Sequence, residues 1–140
     1  NVIANMIFAW ANGDAAGAAD FCKWVEDVLV DVINMTKEKM EKYYDEHVTD
    51  TMCRNELYKK YYMDTIIEDT SAVAGLELIR RIVGMANVKD ITTIADEAKR
   101  ARAEKICITA AIYFIKNRSD KKCGKCFLKT LKDAIAEVDA

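Results

Sequence analysis

The apolar positions of this chain recur at intervals of three and four residues, as they do on one face of a helix. After Asp14, charged residues border a row of such positions, which consists of Phe21, Val25, Val28 and Val32. The spacing continues to about His47, so it predicts a long helix from Ala15 to His47 with Asp14 as its N-cap. The apolar segment from Val2 to Trp10 predicts a shorter helix before it. No stretch alternates apolar and polar residues, and therefore no strand is predicted.

Two further helices are predicted in the middle of the chain. Asp50 is the expected N-cap of the first, and Ser71 is the expected N-cap of the second. The second has a row of apolar positions that we expect to be buried, namely Val73, Leu76, Ile79, Ile82 and Val83. A loop is predicted from Gly84 to Lys89.

The last part of the chain predicts a second long helix and a terminal one. Asp90 is the expected N-cap of the long helix, which runs from Ile91 to about Lys116. Its first half carries alanines at the expected core positions Ala95, Ala98 and Ala101. Asp120 is expected to open the terminal helix, whose inward-facing residues are Phe127, Leu131 and Ile135.

These elements predict an all-α fold. The 140 residues suit one domain, and neither a linker nor a repeat divides them, so residues 1–140 are assigned to a single helical domain. With 51% hydrophobic and 31% charged residues, the composition favours a folded globule over disorder. We expect a compact bundle of five or six helices, in which Ala15–His47 and Ile91–Lys116 form the spine and disulfides link the ends.

The charge balance excludes one class of partner. The 21 basic and 23 acidic residues give a formal net charge of −2, which lacks the basic excess of a nucleic-acid-binding protein. No apolar run reaches the roughly 18 residues of a membrane span. The sequence therefore predicts neither a nucleic-acid partner nor a membrane-spanning segment.

Five cysteines and two sequons favour a secreted protein. The disulfide candidates are Cys22, Cys53, Cys107, Cys123 and Cys126. Two bridges and one unpaired thiol can be drawn in about 15 ways, with Cys107 slightly favoured as the free thiol. Asn34 and Asn117 begin tripeptides that fit the glycosylation sequon. Together these features predict passage through the secretory pathway.

The Cys123-Gly-Lys-Cys126 motif has a redox interpretation and a structural one. A helix N-terminus lowers the pKa of a thiol, so such a pair can be a redox centre. That chemistry usually occurs beside a strand and a cis-proline, and this chain has no proline. We therefore expect each of these cysteines to bond a different, distant cysteine. One close pair is also too few ligands for a structural zinc site, and no metal is predicted.

No catalytic constellation is recognisable. His47 is the only histidine, and its place at the end of a helix favours a capping role. Neither a nucleophile–base motif nor a glycine-rich phosphate loop is present. The sequence therefore predicts a protein that is not an enzyme, that needs no cofactor and that acts by binding.

A group of tyrosines is the candidate binding surface. Five lie within twenty residues, and they are Tyr43, Tyr44, Tyr58, Tyr61 and Tyr62. Tyrosine offers a large contact area with a polar tip, which suits interfaces. Lining of the core is the alternative explanation, but adjacent helical residues rarely face one core together. Tyr44 and Tyr62 are the predicted binding residues.

The early Phe21-Cys22-Lys-Trp24 helix, the late Cys123-Gly-Lys-Cys126 motif and the overall helicity resemble anopheline mosquito salivary proteins of the albicin and anophensin kind. The resemblance implies a secreted inhibitor of host complement, acting on the alternative pathway, or of contact activation. A host or extracellular protein would then be its partner.

The alternative is a carrier of a small apolar ligand, similar to odorant-binding or saposin-like proteins. Such a carrier would have an enclosed apolar pocket, whereas an inhibitor would have a filled core.

Overall fold

The computed structural model describes all 140 residues, and every regular element in it is helical, so the predicted all-α bundle is confirmed. The elements, in chain order, are α1 (Val2–Ala15), α2 (Ala19–His47), α3 (Glu56–Ile82), the single turn α4 (Lys89–Thr92), α5 (Glu97–Lys116), a 3₁₀ turn (Arg118–Asp120) and α6 (Gly124–Val138).

Local capping explains where α3 and α5 begin. The Asn55 side chain accepts hydrogen bonds from the backbone N–H groups of Leu57 and Tyr58, at 2.9 and 3.4 Å. Asp96 caps α5 in the same way. The predicted caps Asp50 and Asp90 are therefore wrong. Asp50 instead accepts bonds from the backbone of the turn before Asn55.

The prediction that Ser71 begins a helix is wrong, because α3 passes through it without a break. The Ser71 side chain is fully buried, and its hydroxyl donates to the carbonyl oxygen of Phe114 at 2.8 Å. Val73 and Leu76, predicted to be buried, are exposed. The buried face of this half of α3 consists of Ser71, Ala74, Gly75 and Leu78.

The second predicted long helix is interrupted. The chain leaves the helical conformation after the single turn α4 and becomes helical again at Glu97, where α5 begins. The spine therefore consists of α2 and α3 together with the shorter α5. Ala95, Ala98 and Ala101 are exposed, contrary to the prediction. The buried alanines of α5 are Ala103, Ala110 and Ala111.

Small residues bring α3 against α5. A Cβ atom on Gly75 would lie 2.7 Å from the carbonyl oxygen of Ala111, closer than real Cβ contacts occur. At the centre of the core, the fully buried rings of Phe114 and Phe127 lie 5.5 Å apart between centroids and join α5 to α6. These contacts hold three helices together around one continuous apolar core.

Ion pairs, and not disulfides, tie the distant parts of the chain. Arg102 in α5 holds Asp139 through two hydrogen bonds of 2.7 and 2.8 Å and also binds Asp14. On the other side, the buried Glu26 accepts a hydrogen bond from the Trp10 indole at 3.0 Å and pairs with Lys132.

The disulfide prediction is wrong because all five cysteines are free. Cys22 and Cys107 are both buried.

Candidate functional site

The largest pocket lies where the end of α2 meets the start of α3, and it has a volume of about 710 Å³. Eight of its ten lining residues are hydrophobic, and the side chains that shape it include Met40, Tyr43, Tyr44, Tyr58, Tyr62 and Met63. Both predicted binding residues, Tyr44 and Tyr62, line this pocket.

The two tyrosines have different environments. Tyr44 is buried, and its hydroxyl donates to the carbonyl oxygen of Cys53 at 2.7 Å. Burial is the largest cause that raises the pKa of Tyr44, so the phenol stays a neutral donor. Tyr62 is 42% exposed, and its ring packs on those of Tyr44 and Tyr58, at 5.8 and 6.3 Å between centroids. Tyr44 thus supports the pocket and Tyr62 faces solvent. That they bind a partner stays a prediction.

A second site is an arginine pair held by one carboxylate near the end of α3. The Glu77 side chain accepts two hydrogen bonds from Arg80, at 2.8 and 2.6 Å, and one from Arg81 at 2.9 Å. The three residues stand at i, i+3 and i+4, which places them on one helix face. This spacing of one acidic and two basic residues is visible in the sequence. The cluster carries one net positive charge.

The hydrogen bonds from Arg80 and Arg81 lower the pKa of Glu77 from 4.5 to about 2, although burial acts in the opposite direction. Because the pKa of Glu77 is lower in the folded state than in the unfolded state, its ionised carboxylate stabilises the folded state. This stabilisation is complete above pH 4.5 and is lost as the pH falls toward 2. Between these values, we expect the urea midpoint of the wild type to fall more steeply than that of Glu77→Gln. Glu38→Gln, at an exposed position of α2, should retain the wild-type slope. Equal slopes for all three proteins would contradict this assignment.

The lysines of the last segment are largely paired. Lys122 binds Glu68 at 2.6 Å, Lys129 binds Asp133 at 2.5 Å, and Lys132 binds the buried Glu26. The positive charges of these three lysines are therefore mostly neutralised.

Within the set of cysteines, Cys123 and Cys126 are neighbours. Their sulfur atoms are 3.3 Å apart at the start of α6, so the expectation that each bonds a distant cysteine is wrong. Cys107, predicted to be a buried free thiol, is fully buried, and burial raises its pKa to about 12.

The remaining candidates lie on helices or at their ends. Asn34 is in α2, and its side-chain oxygen accepts a hydrogen bond from the backbone N–H of Gly124 at 2.8 Å. Asn117 is exposed and follows α5. His47 is the last residue of α2, and its ring packs on Tyr43 at 4.1 Å between centroids. Glycosylation of the two asparagines stays a prediction.

No helix has the length and apolar character needed to cross a membrane. No group of three or more His, Cys, Asp or Glu side chains is arranged to hold a metal ion.

The chain is similar to methylthioribose kinases from several organisms. No family model matches it. Methylthioribose kinase 1 of rice (Oryza sativa subsp. japonica) is 27% identical over 135 residues, which cover 83% of this chain and 31% of the relative. The methylthioribose kinase of Escherichia coli is 24% identical over 132 residues, covering 84% and 32%. That of Bacillus velezensis is 29% identical over 118 residues, covering 74% and 30%. The chain spans about a third of the length of these curated relatives.

These relatives overturn several predictions. A secreted inhibitor of complement or contact activation, a carrier of a small apolar ligand and a protein without enzymatic function are all contradicted, because the relatives are kinases. The prediction of secretion is contradicted as well, because the relatives are methylthioribose kinases and the cysteines on which it partly depended are free. The resemblance to salivary proteins is not tested by these relatives and stays a prediction, but the functions it implied do not hold.

Proposed function

We propose that this chain is the helical part of a kinase that phosphorylates methylthioribose or a closely related sugar. The observation that supports the proposal is the repeated match, over more than four-fifths of the chain, to enzymes of one name from a plant and a bacterium. Because the chain spans about a third of those enzymes, the proposal assigns to it a part of the enzyme and not the whole.

The arginine pair is the group in this chain that best suits phosphate. Enzymatic phosphoryl transfer depends mainly on positioning and on electrostatic stabilisation of the transferred group. Arginine is suited to this because its planar guanidinium matches phosphate oxygens through two parallel hydrogen bonds.

The geometry of the pair fits that role. Glu77 binds Nε and Nη2 of Arg80 and Nε of Arg81, so the guanidinium groups are held in place while their other N–H donors make no hydrogen bond within the chain. The Arg80 and Arg81 side chains are 54% and 34% exposed, which leaves those donors accessible. Both arginines therefore act in the proposal as phosphate-binding groups.

The proposal is tested on the full-length protein that contains this chain. Phosphoryl transfer from ATP to 5-methylthioribose is followed by coupled ADP release, with ribose as the comparison sugar. We expect ADP release that depends on methylthioribose and is much slower with ribose. ADP release that neither sugar accelerates would overturn the proposal.

Replacement of the arginines should reduce this activity. A hydrogen bond to a charged group contributes about 1.5–3 kcal/mol, so Arg80→Ala and Arg81→Ala should each lower kcat/KM about 10- to 100-fold. The matched control is Arg118→Ala, which removes an exposed arginine whose guanidinium is 4.0 Å from Asp69. The control should retain wild-type kcat/KM. Urea unfolding of all three variants distinguishes a loss of catalysis from a loss of stability. If both α3 variants retain the wild-type kcat/KM, Arg80 and Arg81 do not bind phosphate in the reaction.

A further inference from the structure

The start of α6 brings two thiols into contact. Cys123 is the N-cap residue of this helix, and Cys126 lies in its first turn. Their sulfur atoms are 3.3 Å apart, and both residues are half-buried, so reagents in solution can reach them. In addition, the backbone N–H of Cys126 donates to the carbonyl oxygen of Cys123 at 3.0 Å, which holds the two residues in one turn.

A largely buried lysine precedes this pair of cysteines in the sequence. Lys121 is only 5% exposed as a whole residue, no carboxylate lies within ion-pair distance of its ammonium group, and the nitrogen itself reaches solvent. Its neighbour Lys122, by contrast, binds Glu68. A positive charge without a carboxylate partner favours the thiolate form of a nearby thiol, and the charge of Lys121 acts on Cys126 in this direction.

The electrostatic surroundings distinguish Cys126 from the cysteines of the core. Burial raises the pKa of Cys126, but backbone hydrogen bonds at Lys122 and Cys123, the Cys123 thiol and the charge of Lys121 together lower it below the ordinary value. In Cys107 burial raises the pKa to about 12. The pKa of Cys22 is raised by burial and then by Asp14 and Glu26.

The backbone around the pair is firmly held against α2. A Cβ atom on Gly124 would lie 2.3 Å from the carbonyl oxygen of Val30, so only glycine fits between the helices. The N–H of Gly124 also donates to the Asn34 side chain at 2.8 Å. The first turn of α6 thus keeps both thiols at a fixed separation, which favours a reaction between them over reactions with distant cysteines.

We propose that Cys123 and Cys126 form a redox-active dithiol that undergoes exchange with small-molecule disulfides of the glutathione class. This is a local and reversible reaction, in contrast to the structural cross-links excluded above. It does not depend on the proposed kinase activity.

The exchange has two steps in which Cys126 attacks and Cys123 resolves. The Cys126 thiolate attacks one sulfur of glutathione disulfide, so that a Cys126–glutathione bond forms, the glutathione S–S bond breaks and one glutathione leaves as thiolate. Cys123 then loses its proton and attacks the Cys126 sulfur, which expels the second glutathione. The dithiol loses two electrons and two protons, and glutathione disulfide gains them to give two molecules of glutathione.

The test uses the full-length protein, reduced, desalted and exposed to glutathione disulfide. Samples are quenched with acid, alkylated and analysed by peptide mass spectrometry over time. In the wild type, we expect the peptide that contains Cys123 and Cys126 to lose two hydrogen atoms while Cys53 remains open to alkylation. Cys123→Ser should accumulate glutathione on Cys126, because the resolving thiol is absent. Cys126→Ser should react about tenfold more slowly.

Two further variants make the test specific. Lys121→Met should slow the attack of Cys126 several-fold, because it removes the nearby positive charge. Cys53→Ser is the matched control, since Cys53 is also half-buried but lies in the turn before α3, and it should retain the wild-type rate. The proposal is overturned if Cys53 takes up glutathione as fast as Cys126 does. It is also overturned if the Cys123→Ser variant carries glutathione on a cysteine other than Cys126. We expect these variants to keep their kinase activity, so the outcome of this test does not depend on the outcome of the kinase assay.

Discussion

Replacing Phe114 with alanine is expected to lower the free energy of unfolding by about 3–5 kcal/mol. The Phe114 ring is 0% exposed, and it packs on the ring of Phe127 in the interior between α5 and α6. Its loss removes the transfer free energy of a large side chain and leaves a cavity that three packed helices cannot close. Equilibrium urea unfolding, followed by circular dichroism at the helix band, measures the change.

The matched control lies two residues earlier on the same helix. Ile112 is 41% exposed, so Ile112→Ala removes an apolar side chain from α5 without opening a cavity. We expect this variant to lose no more than about 1 kcal/mol. Similar losses in the two variants would show that the core does not depend on the Phe114–Phe127 contact.

Helical periodicity predicted the fold class because it depends on local spacing alone. The boundaries inside the chain depend on partners that are distant in sequence, and they were predicted less well. Serine is a good N-cap, but the Ser71 hydroxyl instead donates to Phe114, 43 residues further along the chain. Asp90 and Asp96 are both good caps by type, but Asp90 lies within the single turn α4 and Asp96 caps α5.

The candidate sites show the same division between local and distant information. The tyrosine cluster is local, and two residues predicted from it, Tyr44 and Tyr62, both line the main pocket, although their binding of a partner stays a prediction. The spacing of Glu77, Arg80 and Arg81 was equally readable and was missed, because charged residues on a helix are usually solvated. Cysteine pairing depends on distances in space, so the number of cysteines suggested bridges that the fold does not form.

Function could not be deduced by elimination. The absence of a phosphate loop and of catalytic motifs predicts a protein that is not an enzyme, but the chain spans only about a third of the kinases it resembles. A segment of an enzyme holds only some of the groups that the reaction needs, and its sequence then shows mostly the features of a helical scaffold.

Gly124→Ala is expected to lower the free energy of unfolding by about 1–3 kcal/mol. The new methyl group would meet Val30 at its carbonyl oxygen, Cα and carbonyl carbon, at 2.3, 2.7 and 2.8 Å. These are backbone atoms, which cannot rotate away as the end of a flexible side chain does, so α6 must move away from α2. Urea unfolding measures the loss.

Two controls identify the cause of that loss. Asn34→Ala removes the hydrogen bond to the Gly124 N–H but adds no atom, and we expect it to cost about 1 kcal/mol, as for the loss of a helix cap. Lys125→Ala changes the adjacent exposed residue, and it should leave the free energy of unfolding within about 0.5 kcal/mol of the wild type. If Gly124→Ala were as stable as Lys125→Ala, α6 would not lie directly on the backbone of α2. The fixed position of the Cys123–Cys126 pair would then lose its main structural support, because that position depends on the same contact.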